Sequence, residues 1–188
     1  MAHQDPRLQL QGRRLRSLLE EERSEAVKAL SRYPADDVVA LAREIMAESD
    51  LEEVRRDAVT AISRTRKDEV IAPLLELLAD ETESDEVRGQ AAEGLGHVIQ
   101  FASRGHARFD EITDVLIDAL SDPIPHVRLW AAHACGTANI KRARHYLEQL
   151  AVKDRAVVED ACWGTVRDEA RAALHALDHS KDLMWPMT

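Results

Sequence analysis

The sequence predicts an all-α protein, an α-solenoid of about five helix pairs, and three observations support this fold class. Ala, Leu, Glu and Arg, which are strong helix formers, dominate the composition. Aromatic residues make up only 4% of the chain, with 7 Gly and 6 Pro. Such a chain lacks the turns and the β-branched and aromatic residues that a β-sandwich or β-barrel needs. Finally, one short pattern recurs four times along the chain.

Length and charge narrow the possible classes of protein further. The chain has 188 residues, of which 45% are hydrophobic and 32% are charged, so it is long enough and apolar enough to fold around a core. It carries 25 Lys and Arg against 35 Asp and Glu, a formal charge of -10. A dedicated nucleic-acid binder neutralises phosphates with basic residues, so this balance argues against nucleic acid as a partner.

The cysteines and the absence of long apolar stretches favour a cytoplasmic protein. Cys135 and Cys162 both lie in apolar helical contexts, where a free cysteine behaves as a small hydrophobic residue. Residues 1–11 lack the apolar core of a signal peptide. No segment approaches the roughly 18 apolar residues of a membrane span, so we expect no membrane partner.

The recurring pattern is a Val-Arg pair followed by small residues four and five positions after the Val. It begins at Val54, Val87, Val127 and Val166, so the offsets are 33, 40 and 39 residues. Positions i, i+4, i+5 and i+8 lie on one face of an α-helix. Small residues in the middle of that face allow another helix to approach closely, as stacked layers require.

A second amphipathic helix is predicted before each copy of the pattern, with turn signals such as Ser84-Asp85 between the two. We therefore expect a single domain over residues 1–188. It would consist of a degenerate first pair at 7–32, repeats at 36–64, 69–103, 109–136 and 141–177, and a tail at 178–188.

This helix pair resembles the HEAT repeat, in the short bacterial form also found in phycobilisome-lyase-like proteins. The resemblance is carried by the four Val-Arg-x-x-Ala segments and the helices before them. It implies an armadillo-like superhelix used for protein binding, with atypical terminal repeats. It also implies that the recurring arginines are structural and bond to an acidic group or a carbonyl in the adjacent layer. These are Arg55, Arg88, Arg128 and Arg167.

The second helices of a HEAT array line its concave face, and the register places candidate binding residues there. Trp130 stands out, because an indole among small polar groups is typical of an interface anchor. Trp130 would alternatively fold back over the neighbouring helix. Trp163 lies in an insertion at 153–165 and would either contact a partner or cap the last layer. The predicted partner-binding residues are Asp57, Gln90, Glu93, Trp130, His133 and Trp163.

Turns that enter the second helices are acidic, and those that leave them are basic. This order is consistent with an acidic and a basic docking edge. The helix macrodipole offers a simpler reason, since acids favour helix N-termini and bases favour C-termini. The macrodipole explains the density of acids at residues 80–86 less well.

Motifs for metal binding and catalysis are missing from the sequence. There are 8 His, yet neither HExxH nor CxxC occurs, so we predict no cofactor, no metal and no catalytic residue.

We predict a non-catalytic protein-binding module acting as an adaptor, assembly factor or inhibitor. The alternative is a bilin-lyase-like enzyme or an alkylpurine DNA glycosylase-like one, which would use carboxylates such as Asp57 or Asp168 beside Trp130 or Trp163. Deoxyhypusine hydroxylase resembles the chain in its repeats, but its His-Glu dipeptides do not occur here.

Overall fold

The computed structural model describes residues 5–100, 107–158 and 164–179, and 77% of these are helical. Within these ranges there are ten α-helices and no β-strand beyond one isolated bridge between Val157 and Thr165. The predicted all-α fold class is therefore confirmed. The helices are α1 (Pro6–Leu15), α2 (Glu20–Leu30), α3 (Ala35–Glu48), α4 (Glu52–Arg64), α5 (Ile71–Ala79), α6 (Asp85–Gln100), α7 (Phe109–Ala119), α8 (Pro125–Thr137), α9 (Arg144–Lys153) and α10 (Val166–His179).

The chain divides into two compact units, Met1–Val98 and Ile99–Thr188. In the first unit, α1 packs on α2, α2 on α4, and α3 on α4; in the second, α7 packs on α8, and α10 on both α8 and α9. Two α-helices lie over each of the five residue ranges predicted to be helix pairs. That residues 1–188 form a single domain stays a prediction. No helix in the described ranges has the length and apolar character needed to cross a bilayer.

The recurring pattern forms the buried face of α4, α6 and α8, and in α10 its Val166 and Ala170 are buried while Arg171 is exposed. In α4, Val54, Ala58, Val59 and Ile62 are all at most 1% exposed, so the Val, small and apolar positions of the pattern are core positions. Small residues on the packed faces of these helices allow neighbouring helices to approach each other very closely. A Cβ added to Gly94 of α6, for example, would lie 2.8 Å from the Cβ of Ser63.

Cys135 lies in the core of the second unit and is fully buried in α8. Burial raises the pKa of its thiol to about 12, because a thiolate would be desolvated there. Since the thiolate is the reactive form, the folded protein should expose no reactive thiol at this position at pH 8.

We therefore expect Cys135 to resist labelling by a thiol reagent such as DTNB at pH 8 in the folded Cys162→Ser variant. The substitution leaves Cys135 as the only cysteine, because Cys162 is the other one in the sequence and lies outside the described residues. One thiol should react after unfolding in urea, which is the matched control. Rapid stoichiometric labelling of the folded variant would contradict the burial of this side chain.

Candidate functional site

Asp57, on the second helix α4, is held by ion pairs inside the first unit. Its carboxylate accepts a hydrogen bond from Nε of Arg23 on α2 at 2.7 Å and lies 3.3 Å from Nη2 of Arg56. Arg56 in turn lies 3.2 Å from the carboxylate of Glu86 at the start of α6. The side chain of Arg23 is only 5% exposed, so its pair with Asp57 joins two layers within the core. The predicted binding residue Asp57 is thus engaged in packing α2 on α4.

Gln90 and Glu93 lie together on α6 and are both half-buried. The amide of Gln90 donates a hydrogen bond to the carboxylate of Glu93, three residues later. The other carboxylate oxygen of Glu93 is 3.9 Å from Nε2 of His97. These side chains form one polar group along a single helix face, as their spacing allows.

Trp130, on α8, is half-buried and has both an apolar and a polar contact. The indole packs against a buried cluster formed by Leu129, Val158 and Val166. Its Nε1 donates a hydrogen bond to Nε2 of His126 at 2.9 Å, one turn earlier on the same helix. The ring therefore covers the core of the last helix pair, while part of it stays accessible. An indole with one apolar side and one polar edge suits an interface.

His133 connects Trp130 to the neighbouring helix α10. Its ring meets the indole edge-on, with centroids 5.5 Å apart, and its Nδ1 is 2.9 Å from Oε1 of Glu169. The Glu169 residue is only 3% exposed, and its Oε2 has no hydrogen-bond partner among the described residues. Leaving a buried polar atom unpaired costs about 1–3 kcal/mol, so this carboxylate oxygen favours any donor brought to it.

A carboxylate, an imidazole and a hydroxyl follow one another here in the order of a hydrolase triad. They belong to Glu169, His133 and Thr137, and Nε2 of His133 is 3.3 Å from Oγ1 of Thr137. Acyl transfer also needs N–H donors for the developing oxyanion. Thr137 is the last residue of α8, and the free backbone groups of a final helical turn are carbonyls. The geometry therefore favours a structural network rather than a nucleophilic site.

Three of the recurring arginines bond to carbonyls near the end of the preceding helix. Arg55 donates to the carbonyl of Met46, and Nε of Arg88 donates to that of Leu78 at 3.1 Å. Nη1 of Arg128 donates to the carbonyl of Asp122 at 2.7 Å. The first two bonds satisfy C=O groups that the ends of α3 and α5 leave without an intrahelical partner, and the third fixes the turn after α7.

Two of these arginines also reach a carboxylate in the following pair. Arg55 is paired with Glu83, and Nε of Arg128 is 2.7 Å from Oδ2 of Asp154. Arg167, in the last pair, differs: its Nε is buried without a hydrogen-bond partner among the described residues and is 3.9 Å from Asp168.

Arg23 is a repeat arginine that the sequence pattern missed. It donates to the carbonyl of Ser17, six residues earlier, just as Arg128 donates to that of Asp122. Ala26 follows it by three positions, as an alanine follows each of the other repeat arginines. Glu22 replaces the valine that precedes the arginine elsewhere, and this hid the first copy. The spacing Arg-x-x-Ala would have found it, together with Arg32 and Arg104, which have the same spacing.

Trp163 lies outside the described residues, as does the tail beyond His179. Asp168, a carboxylate of the enzyme alternative, has a local role at the start of α10. Its backbone N–H donates to Oγ1 of Thr165 at 3.1 Å, and its carboxylate accepts from the same hydroxyl at 2.5 Å. Thr165 is thus the N-cap residue of α10, and the Asp168 carboxylate holds the capping hydroxyl in place.

Comparison with known proteins relates the chain to helical repeat proteins. Residues 13–96 and 81–178 match the family model of HEAT repeats, so the resemblance expected from the Val-Arg-x-x-Ala segments is confirmed. The search of curated proteins gave no match. Among solved structures, a designed armadillo repeat protein in complex with the peptide (KR)4 is 21% identical, covering 90% of this chain and 81% of that chain, with a TM-score of 0.48. An engineered protein is 20% identical, covering 91% of this chain and 47% of that chain, with a TM-score of 0.47.

Proposed function

The chain belongs to the HEAT-repeat family, and from this premise we propose that it is a non-catalytic protein-binding module acting as an adaptor, assembly factor or inhibitor. Its partner would be a protein that contacts the exposed face of the second helices, the concave face in HEAT arrays. The buried free thiol of Cys135 fits a reducing cytoplasm. The residues proposed for recognition are those predicted from the register: Asp57, Gln90, Glu93, Trp130, His133 and Trp163.

The unpaired carboxylate oxygen of Glu169 beside Trp130 and His133 is the observation that supports this proposal most. Binding hot spots are often tryptophans in well-packed, desolvated pockets. Here the indole is fixed by its core contacts and by His126, so little side-chain entropy would be lost on binding. The Glu169 oxygen is buried, so a donor from the partner would satisfy it once the side chains around it move aside.

We expect Trp130→Ala to reduce capture of the partner about tenfold or more, since hot-spot tryptophans contribute upwards of about 1.4 kcal/mol to binding. The measurement is an affinity pull-down from the native lysate, with quantitative identification of the captured proteins. Glu169→Gln should reduce capture of the same protein, because it removes the carboxylate while keeping the side-chain volume.

Tyr146→Ala is the matched control, since Tyr146 is a 42% exposed aromatic residue on the first helix α9. It should leave capture unchanged, and circular dichroism should show that all three variants are folded. Equal capture by the wild type and a folded Trp130→Ala variant would contradict the proposed site. Recovery of nuclease-sensitive nucleic acid instead of protein would contradict the proposed function itself.

A further inference from the structure

A groove with an apolar floor lies between the first helices α3 and α5 of the first unit. It has a volume of about 350 Å³, and its floor is formed by Met46, Ile62, Pro73 and Leu77. Ala47 is exposed at its edge. A floor of this kind takes aliphatic side chains, and methionine adapts to their shape. The groove is separate from the second-helix residues of the proposed function.

The rim of this groove is acidic on the side of the turn between α5 and α6. Asp80 and Glu83 line the groove, Glu83 in an ion pair with Arg55 of the same lining, and Glu81 and Asp85 are exposed in the same turn. Glu81 and Asp85 have no ion pair among the described residues. Hydrogen bonds from Thr82 hold the pKa of Asp80 below its usual value, so this carboxylate is ionised at neutral pH. We call this site the acidic groove.

An exposed ion pair spans the mouth of the acidic groove. Nη2 of Arg43 on α3 is 2.7 Å from Oε2 of Glu76 on α5, and their side chains are 60% and 68% exposed. Exposed pairs of this kind add little to stability and exchange partners readily. A cationic side chain from another protein could therefore replace Arg43 on Glu76 without disturbing the core.

The preceding layer contains a groove of nearly the same size but with balanced charge. It lies between α1 and α3, has a volume of about 360 Å³, and includes Leu8 and Leu41 in its lining. Its charged lining residues are two arginines and two acids, Arg13, Arg16, Asp37 and Glu44. We call this site the balanced groove. The lining of the acidic groove has two arginines and three acids, and the turn beside it adds the exposed Glu81 and Asp85, so the balanced groove serves as its control.

We propose that the acidic groove docks a basic amphipathic segment of a partner protein. An aliphatic side chain of the segment lies on Met46 and Leu77, and its lysine or arginine side chains contact Asp80, Glu81 and Asp85. The apolar floor supplies affinity, and the acidic turn selects cationic segments and speeds their association. This site is independent of Trp130, so the two proposals can fail separately.

The first test uses a fluorescent helical peptide of leucine and lysine as the probe, with the matching leucine and glutamate peptide as its counterpart. We expect the lysine peptide to bind, and Ala47→Glu to weaken it about tenfold by filling the acidic groove with a polar chain. If charge attraction alone held the lysine peptide, Ala47→Glu would strengthen its binding, since this variant gains a negative charge. The matched control is Ala40→Glu, because Ala40 is the exposed α3 alanine that lines the balanced groove. It should keep the wild-type affinity.

A second variant, Glu81→Gln with Asp85→Asn, tests the acidic turn without touching the floor. It should weaken the lysine peptide about threefold to tenfold and reduce the salt dependence of binding. Asp37→Asn in the balanced groove should do neither. Equal binding of the glutamate peptide, equal effects of Ala47→Glu and Ala40→Glu, or self-association that Ala47→Glu abolishes would each overturn the proposal.

Discussion

Arg128→Met is expected to lower the free energy of unfolding by about 3 kcal/mol, because it breaks a largely buried ion pair. The side chains of Arg128 and Asp154 are 16% and 12% exposed, and Nε lies 2.7 Å from the Asp154 carboxylate. Arg128 also donates to the carbonyls of Asp122 and Pro123. Methionine fills a similar volume but leaves the Asp154 carboxylate and both carbonyls without this donor.

The measurement is urea denaturation followed by circular dichroism, with Arg142→Met as the matched control. Arg142 pairs with Asp114 at 2.7 Å, but both side chains are more than half exposed, at 61% and 57%. Its loss should change the free energy of unfolding by no more than about 0.5 kcal/mol. Similar losses in the two variants would show that Arg128 contributes only surface charge and is not a structural repeat arginine.

The helix pairs could be predicted because their signal is local. A valine, two small residues and an apolar residue at helical spacing define a buried stripe, and α4 has that stripe. The contacts between layers could not be predicted in the same way. Asp57 lies at an exposed register position, yet Arg23 of the neighbouring layer reaches it. Which residues meet across layers depends on crossing angle and relative height, which a single helix does not encode.

Glu169 shows the same limit at the candidate site. Glu169 lies three residues after the valine of its repeat, as Asp57 and Trp130 do in theirs. The residue is nevertheless 3% exposed and bonded to His133, because α10 lies close against α8. The cluster on which Trp130 packs includes Val158, which lies in the non-helical segment between α9 and α10. A segment of this kind has no helical periodicity, so the sequence pattern does not predict this contact. The sequence could identify the anchor residue but not its surroundings.

The acidic turn at residues 80–86 has a partly structural explanation. The macrodipole accounts for acids in the first turn of α6, such as Asp85 and Glu86. Glu83 and Glu86 additionally pair with Arg55 and Arg56 of α4, so these two acids help to join neighbouring pairs. The exposed acids that form no ion pair among the described residues, chiefly Glu81 and Asp85, are those that the acidic groove proposal uses.

The close contact of α8 with α10 leads to the second large stability prediction, that Gly136→Ala lowers the free energy of unfolding by about 2 kcal/mol. A Cβ at this position would lie 2.8 Å from Cα and 2.9 Å from Cβ of Ala173, so relief requires a shift of the α10 backbone. That shift would also disturb Glu169 and His133, one helical turn away from the contact on each helix. Alanine normally stabilises a helix by about 1 kcal/mol relative to glycine, which makes a net loss diagnostic of the clash.

Gly12→Ala is the matched control for this substitution, measured by thermal and urea unfolding. Its new Cβ would lie 2.9 Å from Cδ1 of Leu41, which is the end of a flexible side chain and can move aside. The helix propensity gained should then offset the repacking, with a net change within about 1 kcal/mol. If Gly136→Ala proved as stable as the wild type, α8 and α10 would accommodate the added methyl group at no cost in stability. The pair of His133 with the buried Glu169 would then not be the rigid support that Trp130 needs in the proposed site.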